Sequence, residues 1–266
     1  MSSNNPIGVF DSGLGGLTVA RALRARLPRE SLIYYGDTAR VPYGTKSPAT
    51  IARFTREAIA FLCEHDVKCI VVACNTASAV GLPQVQGDAR VPLVGVIDAG
   101  ARAAAAATRA AKVGVIGTPA TIASEVYTRA IQSLNPAITV YAQPCPLLVP
   151  LVEEGWDDRP ATRLIVEEYL RPLRTAKIDT LVLGCTHYPL LAGAIQAYLG
   201  PQVTLVDSAL TCAEDLAALL ARGNLLATHA CGAETFFVTD MPARFAELGA
   251  RFLGRRIQAI KVVGTQ

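Results

Sequence analysis

Along the chain, short uninterrupted apolar runs alternate with longer stretches in which apolar positions return every three or four residues. The runs are IGVF (7–10), SLIYY (31–35), CIVVA (69–73), PLVGVI (92–97), KVGVIG (112–117), ITVYA (138–142), TLVLG (180–184) and TLVD (204–207). Being apolar at successive rather than alternate positions, they suit strands buried on both faces, and the stretches between them supply crossover helices. Two helix starts carry a capping side chain followed by proline: Ser47 with Pro48, before an amphipathic run to Cys63, and Thr118 with Pro119, before a run toward Leu134. The Ala-rich tract 101–111 reads as a further helix, and 242–253 as another, set between two more strands in ETFFVTD (234–240) and IQAIKVV (257–263). The pattern predicts an α/β fold of mostly parallel sheet flanked by helices.

Laid over itself, the chain shows a faint duplication. IGVFDSG at 7 parallels VGVIGTP at 113, VVACNTASAV at 71 parallels LVLGCTHYPL at 181, and VGVIDAG at 94 parallels VTLVDSA at 203, with shifts of 106, 110 and 109. So nearly constant a shift predicts two pseudo-symmetric lobes of like topology, 1–97 with 208–266 forming one and 98–207 the other. Ligands of open α/β sheets bind beyond the carboxyl ends of the strands, so the matched loops 11–16, 74–78, 118–121 and 185–188 should converge on an interlobe cleft.

Composition narrows the class of partner. With 266 residues, 51% hydrophobic and 18% charged, the chain can bury a large core, which excludes disorder as its dominant state. A net charge of +3 is too weak to signal a binder of nucleic acid or anionic membrane, so the expected partner is a small molecule. No stretch approaches the roughly 18 apolar residues of a membrane span. MSSNNP followed directly by IGVF lacks the basic and apolar regions of a signal peptide, so a cytoplasmic location is expected, with no long N-terminal extension for regulation. Seven cysteines (Cys63, Cys69, Cys74, Cys145, Cys185, Cys212, Cys231) without a CxxC argue against a disulfide framework and a zinc ribbon. Most are expected to serve packing.

Two of them stand apart. Cys74 and Cys185 each follow a strand of the duplicated unit and precede short polar residues, Asn75-Thr76 and Thr186-His187, at what reads as a helix start. A helix N-terminus favours the thiolate and is expected to lower the thiol pKa. Two thiols approaching one carbon from opposite sides suit a reaction that removes a proton on one face and delivers one on the other, inverting a stereocentre. Asp11-Ser12-Gly13-Leu14-Gly15-Gly16 suggests an anion cradle of backbone N–H groups, although a plain tight turn explains the glycines equally. Asp11 should line the same cleft as Cys74. Asp37 opens the turn-rich loop through Arg40 to Gly44, which also reads as an ordinary β–α connection. His187 is placed to tune Cys185; a structural histidine is the plainer reading, and a metal site lacks further ligands at suitable spacing. Glu153-Glu154 reads as a solvated helix end.

In this order and spacing, GVFDSGLGGLTV, YYGDTARVPYG, VVACNTASA, GVIGTPAT and LGCTHYPLL resemble the motifs of glutamate racemases, within the aspartate/glutamate racemase family. The resemblance runs through most of the chain. It implies cofactor-independent interconversion of L- and D-glutamate, supplying D-glutamate for peptidoglycan, by a homodimer. It implies that Cys74 and Cys185 are the two acid/bases, that Asp11 and Ser12 contact substrate with Asp11 assisting Cys74, and that Tyr43, Gly44, Asn75, Thr76, Thr186 and His187 hold the amino acid. His187 would assist Cys185, while Asp37 and Glu153 match auxiliary acidic positions. With no pyridoxal phosphate to absorb the carbanion, hydroxyls of Ser12, Thr76, Thr118, Thr121 and Thr186 are expected to help bind the carboxylates and amine, and lobe closure to exclude water. Two other readings stay open: an aspartate racemase, and a two-lobed amino-acid-binding module with buried cysteines.

Overall fold

The computed structural model describes residues 2–229 and 232–264. All ten predicted runs form strands: β1 (Ile7–Asp11), β2 (Leu32–Gly36), β3 (Cys69–Val72), β4 (Leu93–Gly95), β5 (Lys112–Gly117), β6 (Thr139–Pro144), β7 (Thr180–Gly184), β8 (Thr204–Val206), β9 (Glu234–Val238) and β10 (Ile260–Val262). They make two sheets, ordered β10-β9-β2-β1-β3-β4 and β6-β5-β7-β8. Every ladder is parallel. Burial on both faces holds for the central strands β1, β3 and β7, which are buried along their whole length. It fails at the edges: β6 and β10 have only one neighbouring strand and carry exposed residues.

The duplication is visible in the topology, because β2-β1-β3-β4 and β6-β5-β7-β8 are the same order. The register differs from the sequence alignment. Ile7 pairs with Cys69 in one sheet and Val113 with Thr180 in the other, so β3 and β7 correspond at a shift of 111 rather than 110. That single step matters, since it makes Cys74 and Cys185 equivalent. The chain leaves the larger sheet after β4 through the helix Ile97–Ala107 and returns after β8 through the helix Ser208–Arg222, and these two helices pack together. One apolar core joins the lobes, with Leu14, Leu17, Ala73 and Val96 of the larger packed in a common cluster with Ile116, Leu148, Cys185 and Tyr188 of the smaller.

Helix boundaries follow local chemistry. Ser47 and Thr118 cap their helices, accepting hydrogen bonds from the backbone N–H groups of Thr50 and Thr121. The expected single helix from Thr118 to Leu134 is two helices, Pro119–Ala123 and Val126–Leu134, broken where Glu125 adopts a left-handed backbone. The Ala-rich helix, Ile97–Ala107, starts earlier than the tract, and it stops earlier because Asp179 captures the N–H groups of Arg109 and Ala110 and the hydroxyl of Thr108. Helix Pro242–Leu253 falls where the pattern places it. Among the described residues no helix is long and apolar enough to cross a membrane.

Candidate active site

In each sheet the strand order reverses between the first and third strands of the repeat, the crevice where doubly wound sheets bind ligands. The loops after β1, β3, β5 and β7 meet there, joined by the segments after β2 and β6. A narrow pocket of about 40 Å³ lies between them, lined by Ser12, Tyr43, Gly44, Cys74, Asn75 and Thr76 from the larger lobe and by Thr118, Glu153, Cys185, Thr186 and His187 from the smaller. Asp11, Asp37 and Thr121 lie beneath this lining, each essentially without exposure.

On the larger lobe, Cys74 follows β3 and its S–H donates to Ser12 Oγ at 3.4 Å, while its sulfur accepts the N–H of Ala77 at 3.4 Å. Asn75 and Thr76 open a helical stretch that widens to a π turn over Ala77–Gly81. The expected lowering of this thiol's pKa does not occur. Burial, reinforced by the nearby Asp11 carboxylate, pushes Cys74 up to about 12, outweighing the N–H of Ala77. Modification of Cys74 by iodoacetamide, read by peptide mass mapping, should therefore rise by about tenfold per pH unit from pH 8 to 11 with no plateau near 9. Asp11→Asn, by removing the carboxylate, should speed that modification several-fold at pH 8.

On the smaller lobe, Cys185 is followed not by a helix but by a turn, a short 3-10 segment (Tyr188–Leu191) and only then the helix Ala192–Leu199. The group beside its sulfur is His187, whose Nδ1 lies 3.9 Å from Sγ and whose Nε2 lies 3.0 Å from Glu153 Oε1. Burial alone would make the imidazole neutral, yet hydrogen bonds to Cys185 and Glu153 override it and raise His187 to about 10. Burial would likewise raise Glu153, but the bond to His187 holds it below the usual carboxylate range. Glu153, read from sequence as a solvated helix end, is thus a half-buried partner of His187.

The glycine loop after β1 is occupied by the chain's own acid rather than open to an outside anion: the N–H of Gly13 donates to Asp11 Oδ2 at 2.9 Å. Among the described residues Asp11 Oδ1 has no hydrogen-bond partner, and burial raises this carboxyl despite the opposing charge of His187. The tight-turn explanation of the glycines also falls short. A Cβ on Gly15 would lie 2.2 Å from Thr186 Oγ1 and 2.6 Å from His187 Nδ1, so its missing side chain is what lets the lobes meet behind Cys185.

Asp37 holds the loop that carries Tyr43. Its carboxylate accepts from the Tyr43 hydroxyl at 2.5 Å, from Arg40 Nε at 2.7 Å and from Thr239 at 3.1 Å, and burial beside it raises the Tyr43 phenol. Thr76, Thr118 and Thr121 hydroxyls form a triangle with edges of 2.9, 3.2 and 3.0 Å that spans the lobes, with Thr121 behind the other two. Sequence reasoning missed Tyr127, whose buried hydroxyl donates to Asn75 Oδ1 at 2.7 Å, and Thr18, which reaches the Thr186 carbonyl at 3.5 Å. Tyr127 sits in no motif, and Thr18 lies at the end of GVFDSGLGGLTV with nothing to mark it; only the facing of the lobes brings them in. The six described cysteines are free thiols; Cys69, Cys145 and Cys212 are buried, Cys63 is partly exposed, and Cys231 lies outside the described residues.

A family model described as Asp/Glu/Hydantoin racemase matches residues 17–216. The glutamate racemase of Syntrophus aciditrophicus is 54% identical over 260 residues, 97% of this chain and 96% of that protein. That of Neisseria meningitidis serogroup A is also 54% identical over the same shares. In three dimensions the chain is similar to a glutamate racemase from Francisella tularensis solved in complex with D-glutamate, at a TM-score of 0.94 and 42% identity over 99% of both chains. Alike in sequence and fold over nearly its whole length, the chain belongs to the Asp/Glu/Hydantoin racemase family, a family of isomerases.

Proposed function

We propose that this protein interconverts L-glutamate and D-glutamate without a cofactor, using Cys74 and Cys185 as paired acid and base. The observation that carries this reading is that the two cysteines end equivalent strands of two like-ordered sheets and line one pocket. In the L-to-D direction the Cys185 thiolate takes the α-proton. The electron pair of the broken C–H bond remains on the α-carbon and its carboxylate, and the Cys74 S–H protonates the opposite face. Cys185 ends as thiol and Cys74 as thiolate; the D-to-L direction runs the same steps backwards. A thiol held up to about 12 is in its donor form at neutral pH, as Cys74 must be here. His187, cationic to about pH 10, offers its Nδ1–H to the Cys185 sulfur.

Positioned acid/base groups contribute about 10²–10⁴-fold, so the thiols account for only part of the acceleration. The rest falls to preorganised donors facing the charge that builds on the α-carboxylate and to exclusion of water. Ser12, Tyr43, Gly44, Asn75, Thr76, Thr118 and Thr186 are the groups of the lining suited to hold the substrate, with Asp11, Asp37 and Thr121 supporting them from below and Glu153 orienting His187. The same proposal takes 1–97 with 208–266 and 98–207 as the units that close on the substrate. It places the enzyme in the cytoplasm as a homodimer that makes D-glutamate for peptidoglycan.

The test is optical rotation of L-glutamate and L-aspartate incubated separately with the protein. Rotation of L-glutamate should decay to zero, and L-aspartate should turn over about 10–200-fold more slowly, the range one methylene allows. Unchanged glutamate rotation, or faster aspartate turnover, would overturn the assignment. Glutamate that shields Cys74 and Cys185 from alkylation while its rotation stays constant would identify a binding module instead.

A further inference from the structure

Behind His187 the two lobes are fastened by the helix Pro242–Leu253 of the larger lobe. Arg244, Leu248 and Arg251 recur at helical spacing along one face and all border the turn at 153–157 of the smaller lobe. That turn ends the helix Leu148–Glu153, which closes with the N–H of Trp156 bonded to the Leu151 carbonyl at 2.8 Å and the N–H of Gly155 to the Val152 carbonyl at 3.1 Å. Gly155 sits at φ +71°, the left-handed position such a helix end requires. Arg251 Nη1 donates to the same Val152 carbonyl at 2.9 Å, and its Nη2 pairs with Asp157. Arg244 pairs with Glu154 at 3.0 Å. Next to Arg251, buried Phe252 sets its ring at 77° to the His187 ring, centroids 5.2 Å apart.

We infer that Arg251 is a positioning residue for the Cys185 half of the site: by joining the Val152 carbonyl to Asp157 across the lobes, it fixes the helix end whose last residue, Glu153, holds His187 beside Cys185. The Arg251 contacts fall on the residue before Glu153 and on one four residues after it, so the guanidinium spans the turn without touching the pocket. A planar fork with donors on two nitrogens suits a carbonyl and a carboxylate held at once, which a lysine ammonium cannot copy. Among the described residues the Cys74 half has no counterpart. Its sulfur is held by Ser12 and Ala77, both within the larger lobe. Loss of Arg251 should therefore act on one thiol and spare the other.

The role in catalysis rests on the function proposed above, but the test does not require turnover. In the full-length protein, the His187 imidazole is titrated by NMR, and the alkylation rates of Cys74 and Cys185 are compared by peptide mapping, for the parent, Arg251→Met, Arg251→Lys and Asp157→Asn. The charged groups facing His187 are Glu153, Cys185 and Asp11, with Arg244 acting on Glu153. Releasing Glu153 should lower the His187 midpoint from about 10 by about one unit or more in Arg251→Met. Cys185 alkylation should slow by about threefold or more while Cys74 stays within about twofold. Arg251→Lys and Asp157→Asn should fall between parent and Arg251→Met. An unmoved His187 midpoint, or equal changes at both thiols, would overturn the assignment. Should Arg251→Met not fold, Asp157→Asn decides by the same two readouts. If glutamate rotation stays constant, the racemase reading fails while the Arg251 assignment is still judged by His187 and the thiols.

Discussion

Cys74→Ser and Cys185→Ser should each lower glutamate racemisation by about 10²–10⁴-fold while the protein stays folded, since a serine hydroxyl fills a thiol's place but is far too weak an acid to serve as the anionic base at neutral pH. The two losses should be equal in the L-to-D and D-to-L directions. Enantiomers have equal free energy, so the equilibrium constant is one, and kcat/KM must match in both directions at every pH whatever the asymmetry between a Cys74 raised to about 12 and a Cys185 beside a cationic His187. The asymmetry becomes visible only when one base acts alone. In D2O, Cys185→Ser should wash α-deuterium into D-glutamate through Cys74, and Cys74→Ser should wash it into L-glutamate through Cys185, each without forming the other enantiomer. Chiral chromatography with mass detection reads both. Turnover near that of the parent in either variant would remove the two-thiol mechanism.

The features legible in the sequence are those with a local cause. A central strand of a parallel sheet must be apolar on both faces, so β1, β3, β5 and β7 announce themselves as unbroken runs, and Ser47-Pro48 and Thr118-Pro119 mark helix starts by chemistry confined to four residues. Cys74 and Cys185 are legible because each follows an unbroken strand run of the duplicated unit, one residue apart in the sequence alignment. What stayed hidden depends on residues far apart in the chain. Burial of Cys74 beneath both lobes, not the helix end beside it, sets the state of its thiol. Glu153 looks like a solvated acid until the fold brings His187, 34 residues later, to its carboxylate. Tyr127 and Arg251 belong to no motif and act only across the lobe boundary. The break at Glu125 had no signal either, because a left-handed residue other than glycine is set by its surroundings.

Gly15→Ala should cost about 100-fold or more in kcat, although the change adds a single methyl group and Gly15 is not among the residues that line the pocket. The added Cβ would stand 2.2 Å from Thr186 Oγ1, 2.6 Å from His187 Nδ1 and 2.7 Å from His187 Cε1, distances no carbon atom tolerates. Something must give. The loop after β1 is held by the Asp11–Gly13 bond and by the Tyr34 hydroxyl on the Gly13 carbonyl at 3.0 Å, whereas Thr186 and His187 lie on the turn between Cys185 and the 3-10 segment. The turn should therefore yield, carrying His187 away from Cys185 and Glu153 and widening the seam between the lobes. Overpacking of this kind also destabilises by about 1–3 kcal/mol, measurable as a lower urea midpoint. Gly193→Ala is the matched control: among the described residues nothing beyond its chain neighbours and its own helix backbone lies within 4 Å of an added Cβ, and it sits in the helix Ala192–Leu199. There the same change should leave kcat unaltered and add about 0.4–1 kcal/mol of stability. Full activity in Gly15→Ala would mean that the lobes do not need to meet so closely behind the second thiol, and that the His187 geometry is not what the reaction depends on.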